Sequence, residues 1–127
     1  MGRKVVSASD APKAIGPYSQ AIEAGGFVFL SGQIPIDHKT GGVLAAPIAD
    51  QTRLVLDNAK AILTAAGCTL TKVVKVTIYL KNMMDFTTVN DIYGQYFVTE
   101  PPARSTVEVA RLPKDVVIEM DFIAWKG

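Results

Sequence analysis

Eight residues from Val73 to Leu80 alternate, with Val74, Val76, Ile78 and Leu80 on one face and Lys75, Thr77 and Tyr79 on the other. A period of two over that length specifies a strand with one buried face, which no helix satisfies. On both sides the period changes. Upstream, Val55, Ala59, Ile62, Leu63 and Ala66 share one helical face, while Arg53, Asp57 and Lys60 lie elsewhere. Downstream, Phe86, Val89, Tyr93 and Phe97 form a second stripe. Pro47 suits the start of the first helix, Gly67 its C-terminal cap, and Asp85 the N-cap of the second.

The flanking segments supply the remaining strands. Gly25-Gly26 reads as a hairpin turn joining Ser19–Ala24 to a buried strand from Phe27 to Gly32, and Lys4–Ser7 fits a further edge strand. At the other end Ser105–Ala110 and Val117–Ala124 are strands joined by Arg111-Leu112-Pro113-Lys114-Asp115. The order β-β-β-α-β-α-β-β predicts an α+β fold, one mixed sheet with two helices. Right-handed crossovers put both helices on the same side. Ile118, Met120, Phe122 and Ala124 then lie beneath them. Glu119, Asp121, Ile123 and Trp125 face the other way, expected together with Thr106, Glu108 and Ala110 from the neighbouring strand. Nothing in a chain of 127 residues remains to cover that second face. Its mixed polarity predicts that other subunits cover it, with pockets where they meet.

The length fits one domain, residues 1–127, able to bury roughly two thirds of its unfolded surface. Thirteen basic against twelve acidic side chains give a net charge of +1, which is no nucleic-acid footprint. Neither an apolar signal core nor a run of membrane-spanning length occurs, so no membrane partner is expected. One cysteine, Cys68, fits a small buried hydrophobe in a reducing, cytoplasmic compartment. The single histidine, His38, sits in a turn composition without a second ligand at metal spacing, so no metal site is expected. Gly25-Gly26 and Gly41-Gly42 read as turns rather than a phosphate loop, and no nucleophilic triad is supported.

Two residues stand out as carriers of chemistry. Arg104 lies between a Pro-Pro-Ala entry and an alternating Ser-Thr-Val-Glu-Val run, where a planar cation fixed at a strand edge suits bidentate capture of a small carboxylate. The plainer reading is a surface arginine paired with a carboxylate such as Glu100. Glu119 lies between Ile118 and Met120, where desolvation raises a carboxyl pKa toward neutrality. Its plainer reading is a solvated strand glutamate. The two are expected on adjacent strands of the uncovered face. Weaker candidates are Tyr18 after the Gly16-Pro17 bend, the Ser31-Gly32 strand end with its backbone N–H, and Asn90 one turn beyond Phe86. Each has a simple packing or turn alternative.

Ala14-Ile15-Gly16-Pro17-Tyr18-Ser19-Gln20-Ala21, then Ser31-Gly32-Gln33-Ile34-Pro35, then Val89-Asn90-Asp91-Ile92-Tyr93, and finally Pro102-Ala103-Arg104-Ser105 through Ile118-Glu119-Met120 resemble the reactive intermediate deaminase family, RidA or YjgF. The likeness runs in order over essentially the whole chain. It implies a chorismate-mutase-like subunit and a homotrimer with three inter-subunit clefts. It also implies hydrolysis of 2-enamine or 2-imine acids, such as 2-aminoacrylate and 2-aminocrotonate, to 2-keto acids and ammonia, with no metal or organic cofactor. By the same resemblance Arg104 holds the substrate carboxylate, Glu119 activates water, and Tyr18, Ser31, Gly32 and Asn90 line the cleft. Thr106 stands where many members carry cysteine; its hydroxyl keeps a small hydrogen-bonding group in the cleft and removes thiol chemistry. Two other readings remain: a keto-acid-binding or chaperone-like trimer without turnover, and an endoribonuclease or translation inhibitor.

Overall fold

The computed structural model describes residues 2–127. Its elements are β1 (Lys4–Val6), β2 (Ala21–Ala24), β3 (Phe27–Gln33), α1 (Ile48–Ala65), β4 (Val73–Leu80), α2 (Phe86–Tyr96), β5 (Ala103–Glu108) and β6 (Ile118–Trp125). The expected order and class hold: a mixed six-stranded sheet with two helices. Buried residues of both helices join one apolar cluster with Val76, Ile78, Ile118, Met120 and Phe122, so the helices share one face of the sheet. Pro47 precedes the first residue of α1, and Gly67, at φ +73°, follows its end, the left-handed position that a glycine takes without strain. Asp85 stands at the N-cap of α2 without a side-chain cap bond. In the turn before it Asn82 Oδ1 accepts from the Met84 N–H at 2.9 Å.

The strand order is β1-β2-β3-β6-β4-β5, which corrects the expected adjacency of β5 and β6. β5 lies parallel to β4 on its outer side, whereas β6 enters antiparallel between β3 and β4. A hairpin places two strands side by side only when its loop is short. Here residues 109–117, including a 3-10 turn at Pro113–Asp115, separate β5 from β6 and are long enough to cross the end of β4.

The phase of β5 also differs from expectation. Arg104 aligns with Val76 and Thr106 with Ile78, both core-facing, so Arg104 and Thr106 point to the helix side. Glu108 aligns with buried Leu80 and belongs to that side too, while Ala110 lies beyond the strand. Val107 is exposed on the open face, together with Ala103 and Ser105. Val107 and Val109 look like a core face in the sequence because part of the uncovered side of this sheet is itself apolar. Val5, Phe27, Phe29 and Trp125 are all exposed there. At the start of β4 a register shift lies between Val73 and Lys75; it turns Val73 inward and leaves Val74 43% exposed, against the expected alternation.

Candidate functional site

The first cluster is built at the end of β3. Leu30 pairs with Phe122 and Gln33 with Met120, so Ser31 and Gly32 together oppose the single Asp121. Such a bulge re-aims side chains and is common beside functional sites. Three polar groups brace it. Ser31 Oγ donates to the Ser19 carbonyl at 2.6 Å, the Ser31 N–H donates to the Gln20 carbonyl at 3.0 Å, and buried Gln33 donates through Nε2 to the Ser31 carbonyl at 3.1 Å. The Ser31 hydroxyl proton is therefore engaged in fastening the preceding bend over the sheet. In that bend the Tyr18 N–H donates to the Gly16 carbonyl at 2.8 Å across Pro17, and the Tyr18 ring is left half exposed.

Gly32 is where β6 meets this bulge. A Cβ on residue 32 would overlap Glu119 Oε2 and come within 2.8 Å of its Cδ. Only glycine leaves room for that carboxyl. Glu119, half-buried there, has its pKa raised, first by burial and second by the charge of Asp121. Tyr18, Ser31, Gly32 and Glu119 line one cleft of about 340 Å³, at the small end of ligand pockets, with Ile15, Ile34 and Pro113 as apolar wall.

The second cluster lies on the other side of the sheet, beneath α2. The Arg104 guanidinium sits 4.8 Å from the Tyr93 ring centroid and 5.6 Å from that of Phe86. Its Nη1 donates to Asn90 Oδ1 at 2.8 Å. Two aromatic contacts and one amide fix the fork in place and leave further donors free, the state suited to a bidentate anion. None of the ion pairs among the described residues involves Arg104, so Glu100 is not its partner. Tyr93 is buried, and burial pushes its phenol up to about 12, opposed in part by Arg104. Its hydroxyl and Thr106 Oγ1 are both buried without a hydrogen-bond partner in the chain. Unpaired buried hydroxyls are costly and are expected to gain a partner on binding.

The seven site residues therefore form two groups rather than one. Tyr18, Ser31, Gly32 and Glu119 share the open-face cleft; Asn90, Arg104 and Thr106 share the helix side near the β5 edge. Arg104 and Glu119 are on opposite faces and separated by β4, which corrects their expected pairing on adjacent strands within one chain. Sequence reasoning missed Tyr93 as the floor of the guanidinium and Gln20 as a brace. The carboxamide of Gln20 accepts from the Ala8 N–H at 2.6 Å and donates to the Pro12 carbonyl at 2.7 Å. Tyr93 was visible only as part of an apolar stripe. His38 is exposed, and Cys68 is buried as expected.

Comparison with known proteins gives a consistent result. The family model described as endoribonuclease L-PSP matches residues 8–126. A RutC family protein of Pyrococcus horikoshii is 58% identical over 124 residues, covering 98% of each chain. TdcF of Escherichia coli K12, which carries the provisional name of a reactive intermediate deaminase, is 45% identical over 125 residues, 96% of each chain. The crystal structure of E. coli TdcF with bound serine matches with a TM-score of 0.92 at 44% identity, over 98% of this chain and 99% of that one. The E. coli YjgF gene product gives 0.92 at 48% identity, over 98% and 99%.

Proposed function

The chain belongs to the RidA/YjgF family, and from that premise we propose that it hydrolyses reactive 2-enamine or 2-imine acids to 2-keto acids and ammonia in clefts shared between protomers of a homotrimer. One observation carries the shared cleft: Arg104 and Glu119 each complete a well-built half-site, yet lie on opposite faces of one sheet. A single protomer cannot bring both to one small molecule. A neighbour docked against the partly apolar open face can present its Arg104 edge to the Glu119 cleft. The small carboxylate-bearing ligand named for the TdcF structure, serine, is of the class the guanidinium suits.

In this reading Arg104 from one protomer takes the substrate carboxylate. Glu119 of the other, in its carboxylate form, accepts a proton as the water oxygen adds to the carbon of the protonated imine. The carbinolamine nitrogen then takes that proton, and as the C–N bond breaks Glu119 accepts the hydroxyl proton, so that the carbonyl forms and ammonia leaves. Imines are already electrophilic, so positioning with one proton carrier is sufficient. The apolar wall of Ile15, Ile34 and Pro113 suits the short side chain of 2-aminocrotonate.

The description of the family model favours a second reading, RNA cleavage. A coupled assay separates the two. With threonine dehydratase generating 2-aminocrotonate, the protein should accelerate 2-ketobutyrate release, and Arg104→Ala should abolish the acceleration. No acceleration by the wild-type protein, together with cleavage of RNA lost in Arg104→Ala, would reverse the assignment.

A further inference from the structure

Asp121 has no part in the reaction just described, yet it is placed to govern Glu119. It is the next residue on the same face of β6, and its Oδ2 accepts from the Tyr79 hydroxyl at 2.9 Å. Tyr79 is in turn the cross-strand partner of Glu119. Two carboxyls and a phenol thus share one patch of the open face. Within the protomer the other ionisable groups around the patch are few, and the neighbour's Arg104 reaches this cleft only in the assembly proposed above. Lys13 and Tyr18 stand across the cleft. Asp115, in the Pro113 loop, is occupied by Arg111 at 2.6 Å and 3.2 Å. On β4, Lys75 donates to Ser105 at 3.0 Å. From β3 come only Ser31 and Gly32, which carry no charge.

We infer that Asp121, anchored by Tyr79, is a positioning residue that holds a negative charge beside the Glu119 carboxyl and so favours it as a proton acceptor. The inference rests on the reading of Glu119 as the group that activates water. Alternate residues on one strand face are about 6.6 Å apart, close enough for the charge of Asp121 to oppose ionisation of Glu119. The Tyr79 hydroxyl, donating to Asp121, holds that carboxylate in place beside Glu119. Tyr79 itself is held above its usual value, chiefly by this bond, then by burial, and so remains a donor throughout.

The test is a carbon-13 titration of the glutamate and aspartate carboxyls in the intact protein, run alongside the pH dependence of kcat/KM. Asp121→Asn keeps an acceptor for Tyr79 but removes the charge. It should lower the proton affinity of Glu119 about threefold, the Coulomb effect of two unit charges at that spacing in a water-like dielectric, and move the acid limb of kcat/KM to lower pH with it. Tyr79→Phe frees the Asp121 carboxyl from its anchor and should lower the Glu119 midpoint by less than Asp121→Asn does. In the wild-type protein, which needs no variant to fold, the Glu119 carbon should titrate above the range of an ordinary carboxylate. An unmoved Glu119 midpoint in Asp121→Asn, or a wild-type Glu119 that titrates as an ordinary carboxylate, overturns the inference. Midpoints that move in a protein without turnover would uphold the coupling and reject the deaminase reading instead.

Discussion

The Glu119 carboxyl rests directly on the Cα of Gly32, with Cδ and Cγ at 2.8 Å and 3.2 Å from the place a Cβ would occupy. The strand end at Ser31-Gly32 therefore has a sharper role than offering a backbone N–H: it is the seat of the Glu119 carboxyl.

Gly32→Ala should push the carboxyl off that seat. The displaced atoms are the end of a flexible side chain, so the fold should lose less than about 1 kcal/mol. Misplacing the reacting group by about 1 Å can cost on the order of 100-fold in kcat. Turnover measured beside thermal denaturation checks this; a variant with full kcat would show that the seat is irrelevant.

Asn90→Ala removes the one hydrogen bond that orients the guanidinium while leaving its aromatic floor. The expected effect is a KM rise of about 3–10-fold, corresponding to roughly 1 kcal/mol, with little change in kcat. Arg104→Lys should cost more, because an ammonium cannot reproduce the planar fork. Steady-state kinetics on both variants give the order.

Thr106→Val replaces a buried hydroxyl that has no partner within the chain by a methyl of similar shape. If that hydroxyl is idle, thermal stability should stay level or rise by about 1 kcal/mol. If it serves the bound substrate, the same variant raises KM. Melting temperature and KM measured together distinguish the two roles.

Glu119→Gln tests the sign of the electrostatics. Burial and Asp121 raise the pKa of Glu119. A carboxyl raised in the folded state favours folding below its unfolded value and withdraws that stability as pH climbs through the folded one. Neutral glutamine should therefore raise the melting temperature at pH 7 by about 1–3 °C, kept small by the half-exposure of the group. The gain should vanish below about pH 4, where glutamate is protonated in both states. In the wild type the acid limb of activity should lie above the range of an ordinary carboxylate.

Elements set by a single periodicity were legible from the residues alone. The stripe from Val55 to Ala66, the one from Phe86 to Phe97 and the Ile118–Ala124 face all lie where expected. Arg104 and Glu119 also stood out from the residues alone, as a cation after Pro-Pro-Ala and a carboxyl between Ile118 and Met120, and the structure places each in a cluster of polar and aromatic contacts. What could not be read was which strand lies beside which. Nothing local in residues 109–117 says that the connection passes over β4. The phase of β5 was hidden because Val107 is apolar for the sake of the open face rather than the core. The bulge at Ser31-Gly32 is braced by the Gln20 backbone carbonyl and the Gln33 carboxamide, and both glutamines are buried where a polarity scan places them outside.

The most direct measurement mixes Arg104→Ala and Glu119→Gln protomers, each inactive alone, after dissociation and reassembly. If every cleft takes its guanidinium from one protomer and its carboxyl from the next, random assembly at equal amounts restores about one quarter of the clefts, and deaminase activity returns to about that fraction of wild type. Reassembled mixtures that stay as inactive as their parents would contradict the shared cleft.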